Sequence, residues 1–176
     1  MGDITINQKN VITQSGTAEP VSASTVIFPS GHMVFLGTDV GSNTTASPTT
    51  PTATGLTFTV AQATVAKYSK IIINWQAIFR IKRKTSSPAS AHCLGQIRCY
   101  RNYGAGTESL LYNTSNIGTN GTAIDDQTLN VGGTIIDESL ASADSIYEFY
   151  FLKGGAANAG DMTFGTPSCI NLYGII

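Results

Sequence analysis

The chain has 176 residues, of which 41% are hydrophobic and only 12% are charged, and its net charge at pH 7 is −1. This length suits one domain with a sizeable core, and the balanced charge argues against nucleic acid or a membrane as partners. So few charges are unusual for a soluble monomer, and we therefore expect neighbouring subunits to cover much of the surface.

The first 30 residues contain short alternating runs but no face wide enough to close a core. We expect residues 1–30 to form an extended N-terminal arm and residues 31–176 to form the domain. This arm is the candidate element for docking to a capsid, and its apolar residues are the candidate contacts: Ile4, Ile6, Val11 and Ile12. Residues 42–55 are rich in Thr, Ser and Pro, and their prolines exclude a central strand.

The clearest pattern is the stretch SKIIINWQAIFRIK at residues 69–82. Its alternation predicts a long β-strand with one face in a core. The predicted core residues are Ile71, Ile73, Trp75, Phe79 and Ile81. Ile72 and Ile78 interrupt the otherwise polar outer face, where a second subunit could pack.

Further strand candidates follow at regular intervals, separated by turn signals such as SSP, NYGAG, VGG and KGGAANAG. They cover residues 56–60, 92–101, 109–112, 122–131, 134–136, 146–153, 162–164 and 168–175. No apolar period of 3.6 residues persists for three turns, and the loops are too short for parallel crossovers. The sequence therefore predicts an all-β, antiparallel sandwich or barrel.

The strand IYEFYFLK near the end carries large apolar groups on both faces. Tyr147, Phe149 and Phe151 share one face, and Tyr150 and Leu152 share the other. Such a strand lies either inside a domain or at a subunit contact.

The few charges are sorted along the chain. Residues 67–101 hold eight basic and no acidic residues, whereas the rest of the chain from residue 102 holds eight acidic residues and one lysine. We expect strands from these two regions to pair, so that opposite charges meet. A basic binding patch is the alternative.

The His, Cys and acidic residues of the sequence form no motif that predicts an enzyme, a metal site or a cofactor. His32 and His92 belong to no metal or catalytic motif, and Cys93 points away from its neighbour His92 on one strand. The pairs Asp125–Asp126 and Asp137–Glu138 sit on adjacent residues, which point to opposite faces of a strand and make poor catalytic dyads. Calcium binding at Asp125–Asp126 stays open.

Three tyrosines flank the NYGAG turn and could stack on a sugar ring: Tyr100, Tyr103 and Tyr112. The three cysteines, Cys93, Cys99 and Cys169, are expected to be buried thiols in a reducing compartment. No apolar run is long enough to span a bilayer, and the polar start lacks the apolar centre of a secretory signal. We expect the chain to be made in the cytosol.

The succession LTFTV, YSKIIINWQAIFRIK, CLGQIRCYRN, SIYEFYFLKGGAANAG and SCINLYGII resembles the jelly-roll domains of tailed-phage virion proteins. Those domains share the topology of the tumour necrosis factor and complement-head family. The resemblance covers residues 32–176 and implies a jelly roll that forms a homotrimer. The residues it implies at the trimer axis are Tyr147, Phe149, Phe151, Tyr173 and Ile175.

Two functions fit this resemblance, and both place the chain in a virion made in the host cytoplasm. In the first, the chain is a trimeric capsid decoration, or cement, protein that binds the major capsid protein outside the head and stabilises it. In the second, it is a tail-fibre or tail-tip protein whose loops recognise a host surface glycan or protein. The absence of heptads or repeats for a shaft favours the first.

Overall fold

The computed structural model describes residues 4–6, 9–13, 21–22, 31–42, 44–46, 50–83, 93–119, 126–140, 142–153 and 159–176. The chain divides into two compact units, Met1–His32 and Met33–Ile176. His92, Asp125 and residues 154–158 of the KGGAANAG stretch lie outside the described residues.

The first unit contains three short strands that pair antiparallel in the order β1-β2-β3. They are β1 (Ile4–Ile6), β2 (Lys9–Thr13) and β3 (Val21–Ser22). The proposed docking residues lie on these strands, Ile4 and Ile6 on β1 and Val11 and Ile12 on β2, and Ile4 pairs with Ile12. Whether this segment docks to a capsid stays a prediction.

The second unit consists of ten strands and one short helix in its described residues. They are β4 (Met33–Val40), β5 (Thr44–Ala46), β6 (Thr52–Val60), α1 (Gln62–Val65), β7 (Lys70–Arg83), β8 (Cys93–Arg101), β9 (Ser109–Asn113), β10 (Ile117–Thr119), β11 (Asp126–Asp137), β12 (Ser145–Lys153) and β13 (Ala159–Ile175). Within the described part of the chain, no helix is long and apolar enough to cross a membrane.

The strands of the second unit form two antiparallel sheets. The long-strand sheet has the order β11-β7-β13-β4, with β5 also paired to β13. The short-strand sheet has the order β10-β8-β12-β6, with β9 also paired to β8. The chain passes repeatedly from one sheet to the other, and the first strand of the unit pairs with the last, which is the topology of a jelly roll. The predicted antiparallel sandwich is confirmed.

The core lies between the sheets and is built on the inner face of β7. Ile71, Ile73, Phe79 and Ile81 are fully buried there, and Trp75 is 4% exposed. The indole packs against the rings of Phe149 on β12 and Tyr112 on β9, at centroid distances of 4.9 and 5.8 Å. One tryptophan therefore connects both sheets.

A buried ion pair also joins the sheets. Arg101 at the end of β8 donates from one guanidinium nitrogen to both carboxylate oxygens of Asp137 at the end of β11, at 2.8 and 2.6 Å. Asp137 also accepts hydrogen bonds from the hydroxyl of Tyr147 at 3.0 Å and from the backbone nitrogen of Ser139 at 3.1 Å. Burial, followed by the negative charge of Asp137, raises the pKa of the Tyr147 phenol, which therefore stays protonated and donates.

Strand pairing brings together the basic and acidic regions of the chain, but it accounts for only one of the ion pairs described here. Basic β7 pairs with acidic β11, and basic β8 pairs with β12. Lys70 on β7 reaches Glu138, just beyond β11, at 3.2 Å. A further ion pair, between Arg101 and Asp137, runs between the sheets because both side chains point inward.

The structure differs from the predicted strand boundaries where glycine or proline suggested a turn. β11 continues through Gly132 and Gly133, because both glycines stay in register with β7. β13 also continues through Thr166–Ser168. Its pairing with β7 is irregular over these residues and resumes at Cys169. Such bulges accept a proline that a regular ladder would exclude.

Candidate functional site

The outer face of the long-strand sheet carries a continuous row of apolar side chains. Ile136 on β11 lies opposite Ile72 on β7, Ile72 lies opposite Tyr173 on β13, and Tyr173 lies opposite Phe35 on β4. The rings of Phe35 and Tyr173 pack at a centroid distance of 5.4 Å. We call these four residues the apolar row. It crosses all four strands of the main path of the sheet at the same level.

Much of this row is accessible to solvent. Phe35 is 57% exposed and Ile136 is 53% exposed, and both flank the partly buried Ile72 and Tyr173. Ile175 and the exposed Met33 form the next pair toward the end of β13. Contiguous apolar side chains on the outside of a sheet mark a contact surface.

Polar groups border the apolar row along one side and along the β11 and β7 half of the other side. Along the β13 and β4 half of that other side, Ile175 and Met33 continue the apolar surface. On one side, each strand contributes a polar residue at the next outward position: Thr134, Asn74, Asn171 and Thr38. The Thr134 hydroxyl donates to the amide oxygen of Asn74 at 2.7 Å, and the Thr38 hydroxyl donates to the carbonyl of Ile170 at 3.0 Å. The ion pair of Lys70 with Glu138 lies on the other side.

A hollow of about 420 Å³ lies beyond this polar border, over β11, β7 and the irregular part of β13. Gln76, Ile78, Asn130, Gly132 and Pro167 line it. A Cβ atom at Gly132 would lie 2.7 Å from the carbonyl oxygen of Trp75, so a side chain at this position would force β11 away from β7. The same face thus offers a ridge, the apolar row, beside a depression.

The structure corrects three of the five residues assigned to a trimer axis. Tyr147, Phe149 and Phe151 point into the sandwich and are fully buried within one chain. They cannot face a second subunit, because the long-strand sheet already covers them. The alternation of β12 identified a shared face correctly but could not tell the inner face from the outer one, since both faces are apolar.

The two remaining axis candidates lie on the outer face described above. Tyr173 belongs to the apolar row, and Ile175 extends it. Ile72, which the sequence identified as an exception on a polar face, is also in the row. The sequence reasoning missed Phe35 and Ile136. The alternation of residues 33–36, MVFL, could have indicated that Phe35 lies on an outer face. The position of Ile136 depends on the register of β11 against β7.

The acidic pair expected to be non-catalytic is engaged in ion pairs. Asp137 is buried against Arg101, and Glu138 contacts Lys70. In the described part of the chain, no group of three His, Cys, Asp or Glu residues could hold a metal ion. Cys99 is buried, and its burial, followed by the negative charge of Asp137, raises its pKa. Cys169 is partly exposed rather than buried.

The three tyrosines proposed for sugar stacking do not stay together. Tyr100 and Tyr103 pack at a centroid distance of 4.7 Å on the outside of the short-strand sheet, and both contact Tyr150. Tyr112 packs against Trp75 instead. Burial, followed by the negative charge of Glu148, raises the pKa of Tyr150 to about 12.

No protein-family model matches the chain, and no curated protein matches it. Distant similarity to solved structures is found for infectious bursal disease virus. The structure of its Gt strain is 8% identical, with 98% of this chain and 38% of that chain covered at a TM-score of 0.40. The structure of the Gx strain is 7% identical, with 98% and 44% covered at a TM-score of 0.27.

The crystal structure of the VP2 subviral particle of the same virus is 9% identical, with 95% of this chain and 46% of that chain covered at a TM-score of 0.24. The chain thus spans less than half the length of each of these three structures. Matches at this distance establish neither a family nor a function.

Proposed function

We propose that this chain is a structural protein of a virion, and that it acts as a homotrimer which decorates the outside of a capsid and stabilises it. The apolar row on the long-strand sheet is the observation that carries the proposal. A monomer would leave Phe35 and Ile136 more than half exposed beside Ile72 and Tyr173. Covering this row with further copies of the chain removes apolar surface from water.

The layout of this face supports self-association. The apolar row forms a centre, and the polar residues Thr134, Asn74, Asn171 and Thr38 form a border. An apolar centre with a polar rim is the usual anatomy of a specific protein interface. Further copies of the chain are suitable occupants, because the uncharged row needs no partner of opposite charge and three such rows can pack together around one axis.

The trimeric state is inferred from the resemblance to the tumour necrosis factor and complement-head topology. The order β11-β7-β13-β4 against β6-β12-β8 supports that resemblance, because the first and last strands of the unit are neighbours in one sheet. Tyr173 and Ile175 remain candidates for the trimer axis, and Ile72 joins them. Jelly rolls are used by viral capsid proteins and by lectins, so the capsid role depends on more than the fold.

The capsid role is supported by a surface with few charges and by the separate N-terminal unit. Only 12% of the residues are charged, which suits a protein that is covered by neighbours. Residues Ile4, Ile6, Val11 and Ile12 are proposed to dock to the major capsid protein. A protein that binds an assembled shell and not its loosened form stabilises that shell by mass action.

Aspartate in the apolar row is expected to dissociate the trimer. In Phe35→Asp and Ile136→Asp, a carboxylate would have to be desolvated at each subunit contact, which costs several kcal/mol for an unpaired charge. Sedimentation velocity should give a trimer for the unchanged chain and a monomer for both variants. Each site is more than half exposed in one chain, so the monomers should stay folded by circular dichroism.

Leu110→Asp is the matched control. Leu110 is 51% exposed, but it lies on β9 of the other sheet, so this variant should remain a trimer. A monomeric unchanged chain would contradict self-association. If Leu110→Asp alone dissociated the trimer, the subunit contact would lie on the short-strand sheet, and the proposed contact through the apolar row would be wrong.

The virion role is tested by the number of copies per purified particle. A decoration protein should be present in a fixed, high ratio to the major capsid protein, measured by quantitative mass spectrometry of purified virions. A few copies per particle would place the chain on the tail instead. Its absence from particles would overturn the virion proposal without bearing on self-association.

A further inference from the structure

A cavity of about 510 Å³ opens at one end of the short-strand sheet, which is not the sheet that carries the apolar row. Tyr103 and Thr107 on the loop between β8 and β9 form one wall, and Gln62 of α1 and Asp144 form another. Ile146 and Glu148 of β12 also line it, together with Asn102, Ala105 and Ala143. This volume lies in the range of sites for small ligands.

Hydrogen bonds fix the two segments that frame the cavity. Asn102 adopts a positive φ of 54°, and its side chain accepts from the backbone nitrogen of Ile146 at 2.8 Å and donates to the carbonyl of Asp144 at 3.2 Å. A carboxylate oxygen of Asp144 accepts from the backbone nitrogen of Gln62 at 2.8 Å. Asparagine tolerates this left-handed backbone conformation better than most non-glycine residues, and its two side-chain hydrogen bonds hold the loop after β8 against the start of β12.

One aromatic ring faces this cavity from a rigid support. Tyr103 packs against Tyr150 at 4.4 Å and against Tyr100 at 4.7 Å between ring centroids. Tyr100 and Tyr150 are themselves buried, at 7% and 8% exposed. Because its neighbours are fixed, Tyr103 can offer its ring to a ligand with little loss of side-chain entropy.

Two carboxylates around the cavity can only accept hydrogen bonds while they are ionised. Asp144 and Glu148 contribute carboxylates, and Gln62 and Thr107 contribute side chains that both donate and accept. Among the described residues that line the cavity there is no Lys or Arg, so a phosphate or a carboxylate ligand would meet only negative charge. A neutral ligand with several hydroxyl groups and one apolar face satisfies both the ring and the carboxylates.

We propose that this cavity binds a neutral sugar ring of a glycan. The ring C–H face of the sugar lies on Tyr103, and its hydroxyls donate to Asp144 and Glu148. This inference is independent of self-association, since the cavity and the apolar row belong to different sheets. It assigns a recognition role to a chain whose proposed main role is structural.

Saturation-transfer NMR tests the proposal with four neutral probes: the methyl glycosides of glucose, galactose, mannose and N-acetylglucosamine. We expect transfer from the protein to at least one of them, strongest at the ring protons of one face. Tyr103→Ala, which removes the platform, and Thr107→Arg, which fills the cavity from an exposed site, should both abolish it. Thermal unfolding of the variants shows whether they remain folded.

Ile136→Asp is the matched control, because it changes the other sheet and should leave transfer to the sugar intact even in a monomer. Transfer to none of the four glycosides would overturn the proposal, as would transfer that survives both Tyr103→Ala and Thr107→Arg. Glucuronic acid and methylammonium chloride complete the panel. Binding of either one in place of the neutral glycosides would show an ion site and would also overturn it.

Discussion

Asp137→Asn is expected to lower the free energy of unfolding by about 3–5 kcal/mol, because it leaves the Arg101 guanidinium buried without a counter-charge. Arg101 is 5% exposed and Asp137 is 1% exposed, so water cannot replace the lost carboxylate. The substitution keeps the shape of the side chain and removes only its charge and part of its hydrogen bonding. Urea unfolding of the two proteins measures the difference.

A triple variant separates the ion pair from the packing around it. Arg101→Met, Asp137→Leu and Tyr147→Phe together replace the buried polar groups with apolar ones of similar volume. Such replacements are often neutral or stabilising, so the triple variant should recover most of the stability lost in Asp137→Asn. An Asp137→Asn protein as stable as the unchanged chain would show that the pair is solvated and does not join the sheets.

Trp75→Ala is expected to lower the free energy of unfolding by about 3–5 kcal/mol, the range for removing a large buried aromatic side chain. The indole contacts Phe149 and Tyr112 across the sandwich, and the surrounding strands are too regular to collapse into the space. The midpoint of urea unfolding should fall with little change in its slope.

Val40→Ala provides the comparison for Trp75→Ala. Val40 is 71% exposed, and its truncation should change the free energy of unfolding by less than about 0.5 kcal/mol. If Trp75→Ala had an equally small effect, the assignment of inner and outer faces on β7 would be reversed.

Much of the fold could be predicted from the sequence, because alternation along one strand reports directly on burial. The stretch around Trp75 identified its inner face, and turn-rich connections indicated antiparallel pairing. The residues at which strands begin and end were harder to predict. Gly132 and Gly133 resemble a turn, but β11 keeps its register with β7 through them, and only the partner strand reveals this.

The candidate site was only partly predictable, for two physical reasons. On β12 both faces are apolar, and Tyr147, Phe149 and Phe151 were therefore assigned to a subunit contact although they form the core. The apolar row is built from four strands, and its continuity depends on register between segments far apart in sequence. Ile72 could be recognised alone, but its alignment with Ile136 could not.

The pairing of the first strand of the second unit with the last has a consequence for how the chain folds. β4 contacts β13 in the long-strand sheet, and the hydrogen bond from Thr38 to the carbonyl of Ile170 spans 132 positions. During synthesis β4 emerges early and has no sheet partner until β13 leaves the ribosome. Contacts this distant in sequence slow folding, and they leave the exposed Met33, Phe35 and Val40 on an unpaired strand meanwhile. We therefore expect the long-strand sheet to close only after β13 has formed, and β4 to be the strand most exposed to non-native pairing until then.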